Sequence, residues 1–135
     1  MVEVRDIQES DLEAAKSLTD TEKWGNSKSD WNRLFKKSIP LGAYDDGKLV
    51  GVTTAFDFST LGMIGNVIVS EDYRGKEIGR KLVAEAKRRL ETCDSVRVHS
   101  NMNSTVFYKK LGFTPEGMSC LLYTSDAADE KRCVV

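Results

Sequence analysis

The sequence predicts an α+β fold: one mixed, mostly antiparallel sheet containing a parallel pair of strands, with about four helices around it. Three observations carry this. From Leu41 to Val69 the chain offers three apolar runs separated only by short turn signals, the pattern of an antiparallel meander. A strand ending at Val69, an amphipathic helix and a strand around Val96 and Val98 then follow within about 40 residues, and such a crossover makes its two strands parallel. Two helical patterns precede the meander, so helices and strands are partly segregated along the chain.

In order, Val2 to Ile7 alternates apolar and polar residues as a first strand. Ser10-Asp11-Leu12-Glu13 has the form of a capping box, which places a helix from about Asp11 to Thr19. A polar loop from Asp20 to Lys28 carries Trp24. A second helix begins near Asp30 with Trp31, Leu34 and Phe35 on one face, and stops before Pro40. The two tryptophans suit core anchors first and the mouth of a substrate site second. Leu41 to Tyr44, a turn at Asp45-Asp46-Gly47, and Leu49 to Phe56 form a hairpin; a link at Asp57 to Thr60 leads to Met63 to Val69. Gly62 and Gly65 in that third run point to a bulge or a close approach. A helix from Lys76 to Thr92, a strand around Val96 and Val98, and a short helix from Ser104 to Leu111 ending at Gly112 complete the series.

The turn before the long helix organises the rest. Tyr73-Arg74-Gly75-Lys76-Glu77-Ile78-Gly79-Arg80 joins the apolar strand Val67-Ile68-Val69 to a helix whose apolar stripe is Ile78, Leu82, Ala86, Leu90 and Cys93. A strand, a glycine turn and a helix N-terminus in succession aim free N–H groups and the positive end of the helix dipole at whatever lies in the turn. Arg74, Lys76, Arg80 and Lys81 crowd that positive end, where each is disfavoured by roughly 0.3–1 kcal/mol, and a bound polyphosphate would reverse the sign. Neutralisation by Glu71 and Asp72 is the alternative explanation of the cluster. The nucleoside-triphosphate loop and the dinucleotide fingerprint are both absent.

Composition narrows the function classes. The chain has 135 residues, 40% apolar and 30% charged, with a net charge of −1, as in ordinary globular proteins. That charge gives no reason to expect nucleic acid or an anionic membrane as partner, and no apolar run reaches a membrane span. Met1 to Asp6 lacks the apolar segment of a signal peptide, so the expected location is cytoplasmic. The three cysteines have no metal-ligand spacing, no metal is expected, and Cys93 reads as a core residue.

Arg-Gly-Lys-Glu-Ile-Gly at 74–79 resembles the pyrophosphate-binding motif of the GNAT superfamily N-acetyltransferases, Arg/Gln-x-x-Gly-x-Gly/Ala, with Glu77 where a glycine usually stands. The preceding Val-Ser-Glu-Asp-Tyr-Arg is similar to the family's Val-x-Pro-x-Tyr-Arg, with Glu71 for proline. Asn101 to Phe113 resembles Asn-x-x-Ala-x-x-Phe/Leu-Tyr-x-x-x-Gly-Phe, with Ser104 for alanine. The element order agrees with that fold up to about Met118.

The resemblance implies a GNAT-like sheet whose parallel pair splays, and an acetyl-CoA-dependent N-acyltransferase moving an acetyl group to a primary amine by direct transfer in a ternary complex. It implies that Arg74, Gly75, Lys76, Glu77, Ile78, Gly79 and Arg80 hold the pyrophosphate of coenzyme A. Val67, Ile68 and Val69 would pair with its pantetheine arm, Asn101 would belong to the same site, and Tyr108 would give a proton to the leaving thiolate. Packing beside Phe107 is the alternative for Tyr108. No base declares itself: His99 is the first candidate, with Asp57 and Glu71 behind it. The acceptor is a small-molecule or protein amine, read by the Trp24 loop and Asp57 to Thr60, and a homodimer stays open. A non-catalytic acyl-CoA-binding regulatory module is the alternative function.

One stretch stands apart. Cys120 to Glu130 can be back-translated into a sequence that resembles a transposon-based sequencing adapter read through in frame. The expectation is a single acetyltransferase-like domain at 1–119, truncated before a last strand, and a non-native tail at 120–135.

Overall fold

The computed structural model describes residues 2–21, 28–75, 77–99, 105–115 and 120–124. Seven strands form one sheet: β1 (Val2–Asp6), β2 (Ile39–Asp45), β3 (Lys48–Phe58), β4 (Leu61–Val69), β5 (Ser95–His99), β6 (Thr114–Pro115) and β7 (Cys120–Thr124). Their order in space is β1-β2-β3-β4-β5-β7-β6. Every pairing is antiparallel except β4 with β5, which is parallel. The expected meander and crossover pair are both present.

Helices cover both faces. On one lie α1 (Leu12–Thr21) and α2 (Lys28–Lys37), which bury Leu12, Ala15, Leu18 and Trp31 against Tyr44, Leu49, Val52 and Ile68. Trp31 is fully buried, and its indole N–H donates to Thr19 Oγ1 at 3.2 Å, tying the two helices together. Its core role is as expected; Trp24 lies outside the described residues. The other face carries α3 (Ile78–Arg89) and α4 (Thr105–Lys110). Val83, Ala86 and Leu90 pack there on Leu41, Ala55, Ile64, Val96 and Val98, with Cys93, Tyr108 and Phe113 in the same cluster.

Of the boundaries that differ from expectation, three have a clear physical cause. The capping box is replaced by a 3-10 turn at Glu9–Asp11 that leads into α1, because the Asp11 N–H bonds to the Gln8 carbonyl and its carboxylate accepts the Tyr44 hydroxyl at 2.8 Å. The long helix ends at Arg89 rather than Thr92. Its last carbonyls are taken by tighter i→i+3 bonds, from Leu90 N–H to Lys87 and from Glu91 N–H to Arg88, while the Asp94 N–H turns back to the Thr60 carbonyl. Finally, β3 runs on to Phe58, so the link is only a tip at Ser59 and Thr60, closed by the Ser59 N–H on Asp57 Oδ1 at 2.9 Å.

Two features of β4 position the site. Its pairing with β5 covers only Leu61↔Ser95 to Ile64↔Val98, so from Gly65 onward the parallel strands part. At the same place the register with β3 jumps from Val52↔Ile68 to Thr54↔Gly65, a β-bulge that absorbs one extra residue of β4. The Gly65 carbonyl displaced there accepts the hydroxyls of Thr53 at 3.0 Å and Thr54 at 3.1 Å, both fully buried.

Candidate active site

Past the splay point no described strand pairs with β4 on its β5 side, and a cavity of about 500 Å³ opens between the end of β4, the turn before α3, and α4. Val67 and Val69 line it from the strand; Arg74, Gly75, Glu77, Ile78, Gly79 and Arg80 from the turn and first helical turn; Tyr108 from α4. Strand alternation sends the Ile68 side chain into the core under α1 instead. Lys76 and Asn101 lie outside the described residues.

The turn is built from two left-handed residues. Gly75 at φ 79° takes that conformation without cost. Glu77 at φ 62°, ψ 16° is the N-cap of α3 and does the same with a side chain attached, at a cost of about 1–2 kcal/mol. The usual glycine at that place therefore has a conformational reason, which Glu77 meets by strain. Tyr73, which also lines the cavity, anchors the turn through its hydroxyl on Asp45 Oδ2 at 2.9 Å. Arg74 folds back so that its Nε–H donates to the Val69 carbonyl at 3.0 Å.

Charge in the cavity is mainly positive. Arg74 and Arg80 stand on one side and Lys110 of α4 on the other, with Glu77 as the one carboxylate among the described lining residues. Helix geometry leaves the first N–H groups of α3 without intrahelical partners, and the dipole adds to the positive field. Among the described residues no cluster of three or more His, Cys, Asp or Glu suits a metal ion.

Tyr108 reaches the cavity from a rigid seat. Its ring meets Phe107 edge-on at 5.0 Å and Phe113 edge-on at 5.8 Å, and its backbone carbonyl accepts the N–H groups of Leu111 and Phe113 as α4 ends. Burial pushes its phenol up to about 12. The side chain thus stays protonated throughout the neutral range and is a hydrogen-bond donor there.

Sequence reasoning missed Phe107, Lys110 and Leu111, which also line the cavity. Helical spacing held a clue, since residues three apart, such as Phe107 and Lys110 or Tyr108 and Leu111, share a side of α4. Two expectations are corrected. Asp57 to Thr60 sits at the paired end of β4, opposite the splayed end, so it cannot read an acceptor beside Val67. Asp57 is no base for this cavity either: it accepts the Ser59 N–H and the Cys93 thiol at that far end. Glu71 is exposed in the 3-10 turn before the cavity and does not line it. His99 ends β5 one residue beyond the last position paired with β4. Burial first, and then Asp57, pushes the Cys93 thiol up, in keeping with a core residue.

Residues 36–115, more than half of the chain, match the family model described as acetyltransferase (GNAT) domain. The chain belongs to the GNAT acetyltransferase family. Solved structures of the same fold include PaiA N-acetyltransferase from Thermoplasma acidophilum in complex with coenzyme A. It is 18% identical with a TM-score of 0.79, over 92% of this chain and 99% of that one. The ribosomal-protein-S18-alanine N-acetyltransferase from Escherichia coli is 17% identical with a TM-score of 0.80, over 99% and 100%. Rv2747 from Mycobacterium tuberculosis, in complex with CoA and NLQ, is 25% identical with a TM-score of 0.75, over 83% and 71%. Among the described residues, no helix of this GNAT domain is long and apolar enough to cross a membrane.

Proposed function

We propose that this GNAT protein moves an acetyl group from acetyl-CoA to a primary amine by direct transfer in a ternary complex. The observation that carries the reading is the meeting, in one cavity, of the end of β4 beyond its pairing with β5, a cationic helix N-terminus and Tyr108. The residues fit the donor. Arg74, Arg80, Lys110 and the N–H groups of α3 suit a pyrophosphate, and the unpaired end of β4 suits the amides of a pantetheine arm.

Bound there, acetyl-CoA supplies an activated acyl group: the amine attacks its carbonyl carbon, a C–N bond forms, the C–S bond breaks, and sulfur leaves as thiolate. The amine nitrogen gives one proton to a base or to water, and the thiolate takes one from the same base or from solvent, so the exchange is balanced without a covalent enzyme intermediate. Tyr108 donates a hydrogen bond to the departing sulfur. With its phenol near 12 and a free thiol near 8.5, outright transfer of the proton is uphill, so its contribution is to stabilise developing charge in the transition state. An ammonium acceptor must first lose a proton, and His99 at the parting of β4 and β5 is the leading candidate to take it directly or through water.

Release of free thiol from acetyl-CoA across a panel of amines tests this reading. Amine-dependent release at a rate above the background reaction is expected. Tight coenzyme A binding without amine-dependent release would instead favour a binding-only module.

A further inference from the structure

We propose that Glu77 sets the affinity of the cavity for its phosphate-bearing ligand by competing with that ligand for Arg80. The inference rests on the reading of the cavity as a coenzyme A site and adds an internal rival to it. Glu77 makes no side-chain capping bond to α3. Its Oε1 lies instead 3.7 Å from Arg80 Nη1, and both residues line the cavity. A carboxylate in that position offsets one of the cations facing the cavity. It also lies in the turn where a pyrophosphate would seek the same guanidinium and the same helix N-terminus.

The contest is weak enough to tune binding without preventing it. Both side chains are mostly exposed, and an exposed pair at this distance contributes little on its own and is screened by salt. Among the described residues, Arg74, engaged with the Val69 carbonyl, and Lys110, across the cavity on α4, are the other cations lining the cavity. A pyrophosphate entering the turn must either draw Arg80 away from Glu77 or bear a like charge beside it. Either way, this chain should hold the ligand less tightly than one with a neutral residue at 77.

Calorimetric titration of the full chain and of Glu77→Gln with coenzyme A, ADP and pantetheine tests the proposal. Glu77→Gln should bind coenzyme A and ADP about two- to fivefold more tightly at low ionic strength, with the gain shrinking as salt is added. Pantetheine, which has no phosphate, should change by less than about twofold. Glu77→Gly should show the same gain in affinity and a Tm about 3 °C above that of Glu77→Gln, because glycine relieves the left-handed strain. Equal or weaker coenzyme A binding by Glu77→Gln would overturn the proposal, as would an equal gain for pantetheine or a gain confined to Glu77→Gly. Failure of the wild-type chain to bind coenzyme A at all would overturn the site reading itself, and this inference with it.

Discussion

At the scale of single residues, the role proposed for Tyr108 would join packing to chemistry. Phe107 and Phe113 hold its ring edge-on, and the burial that fixes it also lifts its phenol to about 12. An acid must be protonated to donate, so a raised value extends its working range upward: its contribution is present below its ordinary 10.0 and lost only as pH rises through about 12. The rate of acetyl transfer should therefore show no loss assignable to Tyr108 between pH 8 and 10, as a rough window. A pH profile of turnover, compared with the same profile for Tyr108→Phe, checks this; an alkaline limb near 9 that vanishes in the variant would contradict it. That Tyr108 would lie beside the splayed strands was legible through the motif resemblance of its neighbours. The strain at Glu77 was not, since a backbone angle leaves no mark on composition.

At the scale of elements, α4 must sit close on the start of α3 for Tyr108 to reach the cavity. A Cβ built on Gly79 would lie 3.2 Å from Phe107 Cζ, so the two helices meet through a residue without a side chain. Lys87 holds the other end, donating to the Leu111 carbonyl at 3.1 Å with its ammonium 5.6 Å from the centre of the Phe113 ring. Gly79→Val should press α4 outward, costing about 1–3 kcal/mol of stability and lowering turnover by at least about tenfold. Adding Phe107→Ala should recover part of the stability. Denaturant melts and rate assays of the single and double variants check both effects; an additive double variant would contradict direct crowding. The helices and strands themselves were legible from apolar periodicity. The parting of β4 from β5 beside Val67 to Val69 was expected through the family resemblance alone; that the tip after Phe58 lies at the other end of β4 was not, because strand register decides it, and this misplaced Asp57 to Thr60 at the site.

Across the whole molecule, surface charge ties α3 to the first strand. Glu85 is held by Arg88 and Arg89, and Arg89 also reaches Asp6 of β1. The Arg88 hydrogen bonds, with Arg89 adding to them against burial, pull the Glu85 carboxyl from its ordinary 4.5 down to about 2. A depressed carboxyl contributes stability that is present above 4.5 and lost as pH falls through about 2. Thermal melts of Glu85→Gln should fall less steeply than wild type between those pH values; parallel falls would remove Glu85 from acid sensitivity. The sheet as a whole was legible because every strand from β1 to β5 had its own apolar run. Beyond it, β7 pairs with both β5 and β6. We propose, from the back-translation alone, that the segment containing β7 is adapter-derived. The encoding DNA should then show adapter codons, and other codons continuing into a matching genomic locus would contradict this.

The most direct test of the site is a paired measurement on Tyr108→Phe, which keeps the ring and its packing and removes only the hydroxyl. Turnover should fall by about 10²–10⁴-fold while the dissociation constant for coenzyme A stays within about twofold of wild type. Unchanged turnover, under conditions where the chemical step limits the rate, would leave Tyr108 a packing residue and contradict its role as donor to the leaving sulfur.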